Sequence, residues 1–257
     1  MNMKFLLTLG KNLAVAALYL GLTLGCSQNQ QQDQQQEEEK PVENQWVDLF
    51  NGINLDGWEI RLDGGESEDG SIPFMVEDGM IVSTAELGSP NGYLSTIKEY
   101  DNFVLEWEVK IDTTLNSGVQ IRGQVWERDT TTTHLSGNGE TQERNWEAGT
   151  VWGYQIEVDP STRRWSGGLY EPRNRGWIVD LVDNKEAGEA FDRTGWNKMK
   201  VEVNGTQIKT WVNDVLAVDT NDDVLKSGFI GLQYHKVYHK AQDHKKVYWR
   251  NIRIKEL

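Results

Sequence analysis

Val151-Trp-Gly-Tyr-Gln-Ile-Glu-Val-Asp159 reads as one β-strand with two chemically different faces. Tyr154, Ile156 and Val158 alternate with Gln155, Glu157 and Asp159, and a period of two puts the first set on one side of a sheet and the second on the other. One face packs and the other presents carboxylates. Next-but-one residues on a strand stand roughly 7 Å apart, close enough for Glu157 and Asp159 to reach a single bound molecule. The expectation is a curved antiparallel sheet with a sugar-like ligand on this polar face.

Outward from this strand, short alternating runs recur from Trp46 to the end, separated by Gly, Asn and Asp, with no long segment of helical period. This is the signature of an all-β sandwich or barrel. Asn102 to Ile111 gives the cleanest alternation: Phe103, Leu105, Trp107, Val109 and Ile111 face one way, and Glu106, Glu108 and Lys110 the other. Asp78-Gly79 and Asn204-Gly205 mark hairpins, because such pairs tolerate positive φ. In 116–122, Val119 and Ile121 pack while Gln120 and Arg122 share a face. In 228–235, Ile230, Leu232 and Tyr234 oppose Gly231, Gln233 and His235. Tyr93 to Ile97 reads as a further strand and Arg173 to Trp177 as a loop. Gly64 to Gly70 reads as a polar loop, Asp183 to Arg193 as the place for a short helix, and Val247 to Ile254 as the strand that closes the sheet. Gly123 to Ala148 shows little pattern, and so long a connection suggests a functional lid or mobile insert.

The other segments do not look like part of this domain. Residues 1–25 read as an export signal, with Lys4 and Lys11 ahead of an apolar run too short to span a bilayer permanently. It ends Leu22-Thr-Leu-Gly-Cys26, which resembles a bacterial lipobox with Leu24 where Ala or Ser is more usual. Cys26, the only cysteine, is the expected lipidation site. Residues 26–45, rich in Gln and Glu, read as a disordered tether, leaving 46–257 as one domain. The expected location is the bacterial cell envelope, facing the periplasm or the cell surface, with membrane contact through the lipid anchor only. A net charge of −14 argues against nucleic acid, whose affinity comes from Lys and Arg, and favours a neutral ligand. The 11 Trp suit large β cores and sugar rings alike.

The order of blocks resembles a known family. Leu49-Phe-Asn-Gly52 with Gly57-Trp58, Glu77-Asp-Gly79, Asn116-Ser-Gly-Val-Gln-Ile-Arg122, Gly153-Tyr-Gln-Ile-Glu-Val-Asp159, Gly168-Leu-Tyr170, Gly195-Trp-Asn197, Gly231-Leu-Gln-Tyr-His235 and Arg250-Asn-Ile-Arg-Ile254 follow one another. That succession is similar to the bacterial domain of formerly unknown function 1080, the 3-keto-disaccharide hydrolase family, over essentially all of 46–257. The resemblance implies a concanavalin-like jelly-roll sandwich of two antiparallel sheets. It also implies action on 3-keto-glucosides or 3-keto-disaccharides, by elimination of the neighbouring glycosidic bond and then hydration.

A ketone at C3 acidifies the C2 hydrogen, so this chemistry needs a general base, and a cation or hydrogen-bond donors for the enolate oxygen. Glu157 or His235 is the candidate base; Arg122 or a bound divalent ion is the candidate for the oxyanion. Asp159, Gln155, Gln120 and Gln233 are candidates to orient hydroxyls, and Trp152, Trp165, Tyr170 and Trp177 to stack on a sugar. A metal, if there is one, would be held by Glu157, Asp159 and His235. His235, His239 and His244 with Asp243 read rather as a lysine-rich loop. Against functional roles stand an Arg122–Glu157 structural ion pair, a turn-capping Asp159 before Pro160, and a packed His235. Two rival functions remain: a carbohydrate-binding module without turnover, and a retaining glycosidase, for which Glu157-Val-Asp159 lacks a third carboxylate.

Overall fold

A computed structural model describes residues 45–62, 72–135 and 141–257. The signal, Cys26 and nearly all of the tether lie outside the described residues, as does the polar loop 64–70. Alternation and turn pairs divide the described chain into strands. The first eight are β1 (Val47–Asp48), β2 (Trp58–Leu62), β3 (Phe74–Glu77), β4 (Met80–Thr84), β5 (Gly92–Thr96), β6 (Phe103–Ile111), β7 (Ser117–Val125) and β8 (Thr130–Leu135). Then follow β9 (Thr141–Trp146), β10 (Val151–Val158), β11 (Leu169–Glu171), β12 (Gly176–Val179) and the helix α1 (Lys185–Ala190). The chain ends with β13 (Asn197–Asn204), β14 (Gln207–Val212), β15 (Val215–Asn221), β16 (Phe229–Tyr234) and β17 (Lys246–Glu256).

Two antiparallel sheets make a jelly-roll sandwich. One runs β15-β14-β13-β6-β17-β4-β3, with β1 also on β17; the other runs β12-β11-β10-β7-β16-β5-β2. The apolar sets of β6, β10, β13, β16 and β17 meet between them in one core that includes Leu105, Trp107, Ile156, Val201, Leu232 and Trp249. Glu106, Glu108 and Lys110 point outward as their alternation requires, and Glu108 and Glu106 meet Arg250 and Arg253 across the β6–β17 ladder at 2.7 and 2.6 Å. The Asp78-Gly79 turn joins β3 to β4 with φ of 51° and 73°, the primed-turn geometry that matches strand twist.

Several expectations shift. Trp177 lies in β12 rather than in a loop. The closing segment, β17, sits inside its sheet between β6 and β4. Asn204 pairs with Gln207, so that two-residue turn is Gly205-Thr206. The stretch 123–148 carries the hairpin β8–β9, paired from Thr130–Trp146 to Leu135–Thr141; its polar threonines gave no alternation to read.

The largest correction concerns Arg122. β7 holds one extra residue here, because Trp152 pairs with Gln124 but Tyr154 with Ile121, and Arg122 takes φ 48°. Such a bulge breaks the period of two. Arg122 therefore turns away from the face of Gln120 and donates to the Asp101 carbonyl at 2.9 Å and the Leu225 carbonyl at 2.7 Å. It is 1% exposed, and it pairs with Asp101 rather than with Glu157. Arg122→Met should lower stability by about 3 kcal/mol by orphaning these buried carbonyls, with turnover per folded molecule unchanged. Melting curves beside active-site titration would check this; a loss of turnover without loss of stability would return Arg122 to the site.

Candidate functional site

The outer face of the β10 sheet is a polar floor fixed by strand register. Trp177 pairs with Tyr170, Tyr170 with Gln155, Gln155 with Gln120, Gln120 with Gly231 and Gly231 with Ser95, so one row crosses six strands. The next row sets Glu157 against Gly118, and Gln233 against Tyr93 and Arg61 through β5. The sequence candidates Gln120, Gln155, Glu157, Gln233, Tyr170 and Trp177 thus share one face, by register alone. Gly118 matters because a Cβ there would stand 2.6 Å from the Gln155 side chain, which lies over it.

Glu157 is 4% exposed. Its carboxylate accepts from Asn116 Nδ2 at 2.7 Å and from Gln155 Nε2 at 3.1 Å, and Arg163 approaches at 3.3 Å. Burial disfavours the charged form most, and the Asp159 charge adds to it; the two amide bonds and Arg163 pull the other way. The result is a carboxyl group pushed up to about 7, where a general base works best near neutrality.

Asp159 follows the last residue of β10 and has two tasks. It accepts from the Ser161 amide and hydroxyl, both at 2.9 Å, which forms the turn after the strand. It also binds Arg163 Nη2 at 2.7 Å and Nε at 2.9 Å. The guanidinium of Arg163 lies 4.6 Å from the Trp165 ring centre and 5.2 Å from that of Trp177. Arg163 is therefore the cation beside the carboxylates, in the place expected for Arg122. Sequence reading missed it within the turn Pro160 to Arg164; the four-residue interval from Asp159 was the signal available. Trp165, Trp177 and Tyr170 form a cluster with ring centres 4.8 and 5.0 Å apart. Trp152 instead stacks on Trp126 at 4.4 Å.

His235 follows the last residue of β16 and is half-buried, its Nδ1 3.0 Å from the Lys236 carbonyl. Burial lowers its pKa, so the ring is neutral at pH 7. His239 precedes a single 3-10 turn and His244 is exposed beside Asp243. Among the described residues no three His, Cys, Asp or Glu side chains gather to hold a metal ion. Glu157, Asp159 and His235 do not form the set that a divalent ion would need; Arg163 already bridges the two carboxylates.

Some polar atoms on this face lack partners. Both amide atoms of Gln120, Gln233 Oε1, Ser95 Oγ and Arg61 Nε are buried without a hydrogen bond. The other such side-chain atoms among the described residues are indole nitrogens of Trp107, Trp126, Trp152 and Trp249. Every orphaned amide, hydroxyl or guanidinium atom thus belongs to one sheet face. Unpaired buried polar groups are costly, and a group that both donates and accepts, such as a hydroxyl, is the kind that would pair with this mixed set.

The chain belongs to the family of 3-keto-alpha-glucoside-1,2-lyase-like domains, whose model matches residues 45–255, and its function is carbohydrate-related. No match is found among curated proteins. Solved structures similar to it include a candidate glycosyl hydrolase from Parabacteroides distasonis, 19% identical with TM-score 0.49 over 82% of this chain and 94% of that one. A Bacillus subtilis protein with a galectin-like fold is 11% identical with TM-score 0.49, over 82% and 94%. The Bacillus licheniformis beta-glucanase is 14% identical with TM-score 0.42, over 85% and 100%. At these scores the likenesses stand as similarities only.

The two charged neighbours should move Glu157 in opposite directions. Arg163→Met should raise its pKa above about 7, and Asp159→Asn should lower it. Carbon-13 titration of labelled glutamate carboxyls would read both shifts; equal shifts, or none, would contradict this electrostatic arrangement.

Proposed function

We propose that this domain cleaves the glycosidic bond beside a 3-keto-glucose unit by elimination followed by hydration, with Glu157 as the base. The observation that carries this reading is a buried carboxyl group poised near neutrality beside partnerless amide and hydroxyl atoms on one face. Family membership supports the substrate class.

In the first step Glu157 removes the C2 hydrogen, and its electron pair moves into the C2–C3 bond as the C3 carbonyl becomes an enolate. In the second the enolate collapses, C3=O re-forms, a C1=C2 bond appears and the C1–O bond breaks. The departing oxygen takes a proton, and water then adds to the unsaturated ring. Arg163 suits the first step because protonation of Glu157 cancels part of its hold on the guanidinium, leaving positive charge for the enolate oxygen. Gln120, Gln155 and Gln233 orient the sugar hydroxyls, with Tyr170 and Trp177 at the ring. His235, neutral at the rim, is the second choice of base. A carbohydrate-binding surface without turnover would use the same amides, but a carboxyl group raised to about 7 favours proton transfer.

Glu157→Gln should abolish release of glucose and 3-keto product from 3-keto-trehalose, by about 10²–10⁴-fold, while binding is retained. In the parent, kcat/KM should rise as pH increases through about 7, because the base must be ionised. The same group makes stability fall as pH rises from the ordinary 4.5 to about 7, since the folded state holds this proton more tightly. The Gln variant should lack that slope. Full activity in Glu157→Gln would pass the base to His235; no turnover by the parent would favour the binding surface.

We also propose an exported protein of the bacterial cell envelope, with Cys26 as its lipid anchor and no nucleic-acid partner. Cys26→Ser should move it from the membrane to the soluble fraction; unchanged fractionation would sink the anchor.

A further inference from the structure

The opposite side of the sandwich carries a second concavity, a cleft of about 680 Å³ on the outer surface of the β6–β17 sheet and the loops that end it. That volume falls within the range of sites that enclose small ligands. Its charge runs against the rest of the chain. A protein with a net charge of −14 lines this cleft with Lys110, Arg193, Lys245 and Lys246 against one carboxylate, Asp112.

Some of this charge is already committed. Lys246 pairs with Glu77 at 2.7 Å, and Lys245 stands 3.7 Å from Asp112. Arg193 uses Nε on the Pro160 carbonyl. Lys110 is exposed and has no ion pair among the described residues, though its charge reaches Asp192. The cleft also has an aromatic wall. Trp196 and Tyr248 meet edge to face with ring centres 6.4 Å apart, and Arg250 lies 3.9 Å over the Trp196 ring and fixes its plane.

We propose that this cleft binds an acidic saccharide, a short chain of pyranose rings bearing carboxylate or sulfate groups. The argument joins two features. Lysine and arginine donors around a concave surface recognise anionic groups, and the low-dielectric walls focus their field. Aromatic rings beside them suit the C–H faces of a sugar better than a bare inorganic anion. On the Glu157 face the cation beside the aromatic rings, Arg163, is already held by Asp159 and Glu157, and the unpartnered groups are mainly amides and a hydroxyl. The chain would therefore hold an acidic glycan on one sheet while the other sheet handles a separate sugar unit.

Calorimetric titration of the whole protein with tetragalacturonate, cellotetraose, sodium sulfate and anionic phospholipid vesicles at low salt tests this. The acidic tetramer should bind and the neutral one should not. Lys110→Glu should weaken the interaction about tenfold, the size of one lost charge-assisted contact, with turnover at Glu157 unchanged. Because binding is read without turnover, an inactive parent leaves this result interpretable. Equal binding of cellotetraose, sulfate that binds as tightly as the tetramer, vesicles bound in place of the sugar, or an unaltered affinity in Lys110→Glu would each overturn the assignment.

Discussion

A carboxyl group almost stripped of water is the constraint on which the candidate site depends. Glu157 stands on a strand whose alternate residues, Tyr154, Ile156 and Val158, fill the core, so its side chain has no choice of face. Once there, neighbouring strands deny it solvent, and the protein must supply other stabilisation. Asn116 and Gln155 donate directly, and Arg163 contributes charge from the turn that follows. The balance leaves the group near neutrality rather than fully ionised or permanently protonated.

That balance requires small and rigid surroundings. Gly118 leaves the space that Gln155 occupies beneath Glu157, and Asp159 holds Arg163 through both a turn and a direct ion pair. Elsewhere buried charge is used differently. Glu171 and Asp222 share Arg175, and Asp222 also accepts from the Tyr154 hydroxyl. Burial and the Asp222 bond push that phenol up to about 12, so it stays a donor at any working pH. Both sets hold two carboxylates to one guanidinium, but Arg175 meets both of its partners closely, whereas Arg163 stands 3.3 Å from Glu157 and closer to Asp159, which leaves Glu157 partly uncompensated. Partial compensation is what separates a candidate base from a structural ion pair.

The architecture was legible wherever the period of two ran unbroken. β6, β10 and β16 placed their core and polar residues as alternation requires, and this alone brought Gln155, Glu157, Gln120 and Gln233 to one face. Reading failed where the period was interrupted. The extra residue in β7 changes the side on which Arg122 emerges, and a bulge of this kind leaves no composition signal in a run such as Gln-Ile-Arg-Gly. Arg163 was hidden for the opposite reason: it lies in a turn, where side-chain direction follows local hydrogen bonds rather than strand parity. The β8–β9 hairpin is a run of threonines and other polar residues, paired through backbone groups that a hydropathy pattern does not register.

The exchange of Arg122 for Arg163 changes the chemistry available at the site. A guanidinium on a neighbouring strand would be a fixed partner, committed by backbone geometry. Arg163 instead lies against two indole rings, with 41% of its side chain exposed, and it divides its charge between Asp159 and Glu157. When Glu157 takes up a proton, one of its two anionic partners is lost while Asp159 still anchors it. In the proposed elimination the cation would then face the negative charge that forms on the substrate. Coupling the proposed base and electrophile through one shared ion pair would let proton transfer itself redirect the stabilising charge, without movement of the strands.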